Sequence, residues 1–232
     1  MPRRGFSLIE LLVVLAIVAI VAAFSVAALS AQSRAGEIRR NLVTVSGLLD
    51  LARQTAVARH TYAYFGMTSP AQAAATHPSA HETPVYLAVF VSNDGSDVLG
   101  AGGSLNDQGG PQAEVSLLRK VESLKNVFLD TVLGARNPLV TRLRPPVGSG
   151  AALTSSWTLQ TSTRVNNAPL SFDRIIKFTP AGAARVSQVP IEVIDLILTP
   201  VRGGEQPTEA DREISSVIRL SGLTGNVSVY QP

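Results

Sequence analysis

The 232-residue sequence contains no cysteine, which excludes disulfide bonds, cysteine-ligated zinc, iron–sulfur clusters and thiol catalysis. Charged residues make up only 16% of the chain and aromatic residues only 5%, while 45% are hydrophobic. Disorder over most of the chain is therefore excluded as well. The sequence also lacks a P-loop, a dinucleotide-binding glycine pattern and a Gly-x-Ser-x-Gly element. We therefore expect no cofactor and no enzymatic activity, and an enzyme whose catalytic residues are not recognisable in the sequence is the less favoured alternative.

The hydrophobic residues are concentrated near the N-terminus. Between Phe6 and Ala31, 22 of 26 residues are apolar, and no charged residue lies between Leu11 and Ser33. About 20 such residues are enough for a helix to cross a bilayer. We therefore predict that this segment enters a membrane.

The alternative interpretation of this run is a secretory signal peptide or a simple membrane anchor, and the chain would then be an exported or single-pass anchored periplasmic binding domain. Arg3 and Arg4 precede the run, and the Ala-Leu-Ser sequence at 28–30 could serve as a cleavage site. However, the run is longer than the usual apolar core of about 7–15 residues, and Glu10 lies near its start. A carboxylate in a membrane segment is costly and indicates a functional role, which a plain signal peptide does not need.

Residues 3–12, Arg-Arg-Gly-Phe-Ser-Leu-Ile-Glu-Leu-Leu, resemble the N-terminal signal of type IV prepilins and type II secretion pseudopilins. The resemblance implies that residues 1–5 are a cytoplasmic leader and that prepilin peptidase cleaves between Gly5 and Phe6. It further implies that the new N-terminal Phe6 is N-methylated and that Glu10 becomes the fifth mature residue.

The residue types at these positions suit such processing and assembly. Gly5 has no side chain, so its backbone can approach the catalytic groups of a protease closely. Glu10 lies about 6 Å of helix rise from the new amino terminus. The amino terminus of a neighbouring subunit could pair with this carboxylate and set the register of assembly. The alternative is that Glu10 extends toward the lipid headgroups near the helix end.

The positive charges flanking the apolar run are nearly balanced. Arg3 and Arg4 lie on one side, and Arg34, Arg39 and Arg40 follow on the other. The orientation therefore rests on the resemblance. It implies a single-pass protein of the bacterial inner membrane with its C-terminal domain in the periplasm.

A second apolar pattern continues beyond the run with helical spacing. Its members recur at intervals of three and four residues: Ile38, Leu42, Val45, Leu49, Ala52 and Ala56. Because no proline lies between Pro2 and Pro70, one helix from about residue 7 to about residue 60 is predicted, roughly 80 Å long. We expect 6–33 to be its transmembrane half and 34–60 its periplasmic half. The stripe favours packing against the protein's own sheet, and a coiled coil is the alternative.

Residues 61–232 have the pattern of a β-rich globular domain, so the predicted fold class is α+β, with the long N-terminal helix packed on an antiparallel sheet. The segments with strand character are 61–65, 85–92, 156–161, 174–179, 192–198, 216–220 and 226–230. Residues 114–124 have the spacing of a helix, and 127–133 could be strand or helix. Residues 68–84 and 93–112 are predicted to be loops because they are rich in Ala and Pro or in Gly and Asp.

Three segments, one at the end of the predicted helix and two in this domain, resemble the minor pseudopilins of the H type and the FimT-like minor pilins. They are Ala-Arg-Gln-Thr-Ala-Val-Ala-Arg at 52–59, Ile-Lys-Phe-Thr-Pro-Ala-Gly at 176–182, and the glycine-containing hairpin at 216–230. The resemblance implies a minor subunit at or near the tip of a type II secretion pseudopilus or a type IV pilus-like filament. Its partners would be other pilin or pseudopilin subunits, prepilin peptidase, the inner-membrane assembly platform and membrane lipid.

Two short segments have some features of metal sites, but we expect no resident metal at either. His77 and His81 are four residues apart, but Pro78 between them argues against the helical geometry of a zinc pair. Residues 93–97 carry Asp94 and Asp97 around a turn glycine, but they lack the full EF-hand spacing. A solvated turn is the simpler interpretation of this segment, and a calcium site is the alternative.

Nucleic acid is not expected as a partner. The formal net charge is +3, and cleavage after Gly5 would remove two of these three positive charges with Arg3 and Arg4. No basic stripe with interleaved aromatic residues is present. In the family that the chain resembles, arginine often follows the glycine of the terminal turn, where this chain has Asn226.

Overall fold

The computed structural model describes residues 8–69, 84–99, 104–107, 114–130, 158–165, 168–187, 190–201, 207–208 and 213–231. In the N-terminal helix, side chains are described for residues 8–21 and from residue 36 onward. The chain divides into two compact units, Met1–Arg40 and Asn41–Pro232. The four predicted segments, with boundaries after residues 5, 33 and 60, stay a prediction.

The N-terminal helix, α1, spans Leu8–Arg59, which confirms the single long helix predicted from the missing prolines. It ends in a Schellman motif, in which the Thr61 amide donates to the Ala56 carbonyl at 3.0 Å and the His60 amide to the Val57 carbonyl at 3.3 Å. His60 has a φ of 50°, the left-handed conformation that this motif requires. The chain therefore turns away from the helix axis at the residue predicted to end the helix.

The predicted apolar stripe lies on the buried side of α1 in the second unit. Its buried members there are Leu42, Val45, Leu49, Ala52 and Ala56. Two side chains of the helix also bond to the rest of this unit. Asn41 Nδ2 donates to the carbonyl of Lys125 at 3.1 Å, and Arg53 Nε donates to the carbonyl of Thr224 at 2.8 Å.

Thirteen strands are described, and all seven predicted strand segments are found among them. In chain order they are β1 Ala63–Thr68, β2 Val85–Ser92, β3 Ser104–Asp107, β4 Val115–Leu117, β5 Glu122–Leu124, β6 Val127–Asp130, β7 Thr158–Val165, β8 Ala168–Phe172, β9 Arg174–Phe178, β10 Ala184–Arg185, β11 Val193–Pro200, β12 Ser216–Ser221 and β13 Val227–Tyr230. The described fold is thus α+β with a mostly antiparallel strand arrangement, as predicted.

The largest sheet has six strands in the order β10-β9-β1-β2-β4, and β5 also pairs with β2. Its central strands β1 and β2 are almost wholly buried, which explains their nearly continuous apolar sequence. On this core, the rings of Phe90 and Phe172 meet edge to face with centroids 5.6 Å apart.

A second sheet has the order β13-β12-β11-β6. Its paired positions alternate between an apolar face, where Leu196 lies opposite Ile218, and a face where Asp195 lies opposite Arg219. Arg219 and Asp195 form two hydrogen bonds of 2.7 Å each. This bonding raises the pKa of the Arg219 guanidinium.

Two predictions for the central part of the domain are wrong. Residues 114–124 are not a helix, because Val115–Leu117 and Glu122–Leu124 both pair with β2 and gain its backbone hydrogen bonds. Residues 93–112 are not all loop, because Ser104–Asp107 pairs in parallel with β7 in a third sheet of order β3-β7-β8.

Two other predicted segments, 127–133 and 68–84, can be compared with the structure only in part, because the structure describes only some of their residues. Residues 127–130 are a strand, which decides the choice left open for 127–133 over its described part. In the predicted loop at 68–84, Thr68 is the last residue of β1, and positions 70–83 lie outside the described residues. His77 and His81 lie among those positions, so the zinc interpretation stays untested.

Candidate functional site

The first described part of α1 presents an apolar surface with one acidic residue. Every side chain from Leu8 to Val21 is exposed in the single chain, including Leu8 at 83%. Glu10 lies in the first turn, where the partial positive charge of the helix N-terminus favours a carboxylate. A helix that is apolar on all sides is normally covered by lipid or protein, so this surface is suited to association.

The predicted processing residues Gly5 and Phe6 lie outside the described residues. Over the part of the chain that the structure describes, no helix meets the length and hydropathy needed to cross a membrane. Because Gly5 and Phe6 are not described, Glu10 is the one predicted site residue with a described position.

A second distinctive region lies where the end of α1 meets two β-turns in the second unit. One turn, at 179–183, connects β9 to β10, and the other, at 221–226, connects β12 to β13. The Ala184 amide donates to the Gly222 carbonyl at 3.0 Å and so joins the two turns. Arg53 completes the region through its bond to Thr224.

Both turns contain glycines in conformations that other residues rarely adopt. Gly182 has a φ of 84° and Gly225 a φ of 66°. A Cβ atom on Gly225 would lie 2.2 Å from the Gly182 carbonyl oxygen, so the close contact requires glycine. The structure thus confirms that these motif residues form turns, and it adds that the two turns contact each other and α1.

Comparison with known proteins bears on the N-terminal segment. Residues 1–26 match the family model of the prokaryotic N-terminal methylation motif. The match supports a type IV pilin-like protein. It also suggests association with a membrane, and it does not distinguish between subgroups. No curated protein and no solved structure matches the chain.

The chain also contains an ion pair, formed by a buried lysine, that the sequence did not indicate. Lys177 Nζ lies 2.6 Å from Asp97 Oδ2, and the Lys177 side chain is only 1% exposed. The Tyr62 ring centroid is 5.8 Å from the same ammonium. Nearby, burial raises the pKa of the Tyr64 hydroxyl, which accepts a hydrogen bond from the Val98 amide at 3.2 Å. The pair ties the loop after β2 to β9.

Asp94, in the segment considered for calcium, is held in a local turn. Its Oδ1 accepts hydrogen bonds from the Ser96 amide at 2.9 Å, the Ser96 hydroxyl at 2.7 Å and the Ser92 hydroxyl at 3.0 Å. These bonds lower the pKa of the Asp94 carboxyl, those from Ser96 most strongly. Within the described ranges, no group of three or more His, Cys, Asp or Glu residues could hold a metal ion.

Sequence reasoning missed the roles of Arg53 and Lys177, although both lie in segments that it singled out. Arg53 belongs to the helix-end motif at 52–59, and Lys177 belongs to the strand-and-turn motif at 176–182. Their partners, Thr224 and Asp97, are 171 and 80 residues away in sequence. For Lys177, the available signal was a charged residue between Ile176 and Phe178, because a charged residue in an apolar strand is rarely buried without a partner.

Proposed function

We propose that the chain is a minor pilin or pseudopilin subunit of the H-type and FimT-like subgroup. Prepilin peptidase cleaves between Gly5 and Phe6, and the Phe6 amine is then methylated. The mature protein assembles at or near the tip of a type II secretion pseudopilus or a type IV pilus-like filament. It acts through assembly rather than catalysis.

The match of residues 1–26 to the N-terminal methylation motif is the observation that carries this proposal. The exposed apolar surface of residues 8–21 supports it, because such a surface is suited to lipid before assembly and to neighbouring helices afterwards. We propose that residues 6–33 anchor the protein in the bacterial inner membrane. The leader then lies in the cytoplasm and residues 61–232 in the periplasm.

In this proposal Glu10 guides docking onto the growing filament. Its carboxylate lies in the first turn of an apolar helix, where an opposite charge from another chain is the favoured partner. The proposed partner is the free amine of a neighbouring subunit, which exists only after the leader has been removed. This dependence explains why cleavage would precede assembly. The further partners are the peptidase, the assembly platform and membrane lipid.

The variant Glu10→Ala tests the assembly role. We expect it to insert and to be cleaved normally, because the apolar run and Gly5 are unchanged, but to be incorporated at a tenth or less of the wild-type level. Co-purification with partner pilins measures incorporation, and the mass of the mature chain measures cleavage.

Glu10→Asp is the matched control, since it keeps the charge and shortens the side chain by one methylene. It should retain more incorporation than Glu10→Ala. Normal incorporation of Glu10→Ala would refute the proposed role of this residue.

A further inference from the structure

A groove of about 470 Å³ runs along the outward side of α1 in the second unit. One wall is a single helix face formed by residues at intervals of four, four and three: Val43, Gly47, Leu51 and Gln54. Arg119 and Glu122, beside the connection between β4 and β5, form the other wall. The helical wall is about 16 Å long, which suits a partner several helical turns in length.

Gly47 has no role in packing that the structure reveals within its own chain. It lies in the interior of a 52-residue helix and is exposed. A Cβ atom built on it would have nothing within 4 Å. Since glycine is a poor helix former, its presence there disfavours the helix without allowing a close contact inside the chain. The missing side chain instead leaves room for the backbone of another molecule.

Val43, one helical turn before Gly47, also indicates contact with another molecule. Val43 is 65% exposed, although the outward face of a helix that meets only water normally carries polar side chains. Gly47 and Val43 therefore form a small apolar patch on the solvent side of α1. An apolar patch next to a glycine favours close packing with a second helix.

The charges around the groove indicate the sign of the partner. Asp50 and Glu122 are acidic, and Arg119 is the basic residue of the lining, 3.4 Å from Glu122. The lining thus carries one excess negative charge. A complementary helix presents a basic turn, and this chain itself carries an exposed Arg39 shortly after its apolar run. A pilin-like neighbour built on the same plan supplies both an apolar surface and a basic turn.

We propose that this groove receives the helix of a neighbouring pilin-like subunit, which enters with the basic turn that follows its apolar segment. The inference rests on the proposed function, and it assigns the contact to a particular surface of the second unit. Gly47 allows the two backbones to approach, Val43 and Leu51 pack against apolar side chains, and Asp50 faces the basic turn.

Photo-crosslinking from position 47 identifies the occupant. Because the sequence has no cysteine, Gly47→Cys can be labelled at that site alone with a benzophenone maleimide. The tagged full-length chain is illuminated in assembled filaments, purified through the tag and analysed by peptide mass spectrometry. We expect a crosslink to a helix peptide just C-terminal to the apolar segment of a second pilin-like subunit.

Leu223→Cys is the control for this experiment, since Leu223 is 70% exposed in the β12–β13 turn and outside the groove. It should not give the same crosslinked peptide. Crosslinks from position 47 to the assembly platform, to lipid, to its own chain only or to no molecule in assembled filaments would overturn the proposal.

Two substitutions at Gly47 test the groove independently of the proposed function. Gly47→Trp should fold and lose its leader normally, because Gly47 is exposed on the helix surface, yet its incorporation should fall at least tenfold. Gly47→Ala should be incorporated at a level between those of the wild type and Gly47→Trp, because one methyl group fills only part of the space. Normal incorporation of the cleaved Gly47→Trp chain would overturn the groove alone, whereas failure of leader cleavage in the wild type would overturn the proposed function.

Discussion

Gly225 and Gly47 are both glycines of the second unit, but their surroundings differ. Gly225 has a φ of 66°, and its Cβ position is blocked by the Gly182 carbonyl oxygen at 2.2 Å. Gly47 lies in a regular helix with open space at the same position. The turn therefore requires glycine, whereas the helix would be more stable with a side chain there.

Alanine substitutions at Gly225 and Gly47 should change the free energy of unfolding in opposite directions. Gly225→Ala should lower the free energy of unfolding by about 1–3 kcal/mol through backbone strain and the blocked Cβ. Gly47→Ala should raise it by about 0.5–1 kcal/mol. Urea denaturation of the full-length protein in detergent measures both changes, and a shift of the two variants in the same direction would contradict the explanation.

Asp94 should make the turn at 93–97 dependent on pH. Hydrogen bonds lower the pKa of its carboxyl from the ordinary value of 3.8, so they favour the ionised form in the folded state. Their stabilisation is present above pH 3.8 and is lost as the pH falls through the lower pKa of the folded state. Ser96→Ala, which removes the hydroxyl bond, should move the pKa back toward 3.8. Carbon-detected NMR titration of the carboxyl measures it, and an unchanged pKa in Ser96→Ala would refute this assignment.

Among the elements, α1 shows how one helix can have two different faces. Leu49 is fully buried on the inner face, and Val43 is 65% exposed on the outer face. Leu49→Ala should lower the free energy of unfolding by about 2–5 kcal/mol because it leaves a cavity in the core. Val43→Ala should change it by less than about 0.5 kcal/mol. Thermal or urea unfolding checks this contrast, and equal losses would show that the outer face is also part of the core.

The elements that depend on local sequence could be predicted well. The absence of proline and the apolar spacing indicated α1, and the Thr-Pro-Ala-Gly sequence at 179–182 indicated the turn between β9 and β10. The helix end at Arg59 was also close to the predicted residue, because the periodic apolar positions stop at Ala56. Each of these features is determined by residues within a few positions of one another.

Some features that depend on distant partners could not be predicted. Residues 114–124 have helical spacing, but the backbone of β2 offers them hydrogen bonds along its edge, and pairing prevails over local propensity. The parallel pairing of β3 with β7 joins residue 104 to residue 158. The pairs Lys177–Asp97 and Arg53–Thr224 likewise required the fold before their roles could be seen.

For the molecule as a whole, the two compact units have different surfaces. The described side chains from residue 8 to residue 21 are exposed and almost all apolar, whereas the second unit buries its apolar residues in a core. The composition reflects this difference, because 22 of the 26 residues from Phe6 to Ala31 are apolar, whereas 45% of the whole chain is hydrophobic. The function we propose uses the first surface for membrane anchoring and assembly, and the second unit for specific contacts.

The N-terminus of the native protein tests the central proposal most directly. Intact-mass measurement and fragment sequencing of the chain purified from its own membrane give the first residue and its modification. We expect residues 1–5 to be absent and the chain to begin with N-methylated Phe6. A chain that begins near Ala31, as after signal peptidase, or that keeps Met1 would contradict the proposed pilin-like processing.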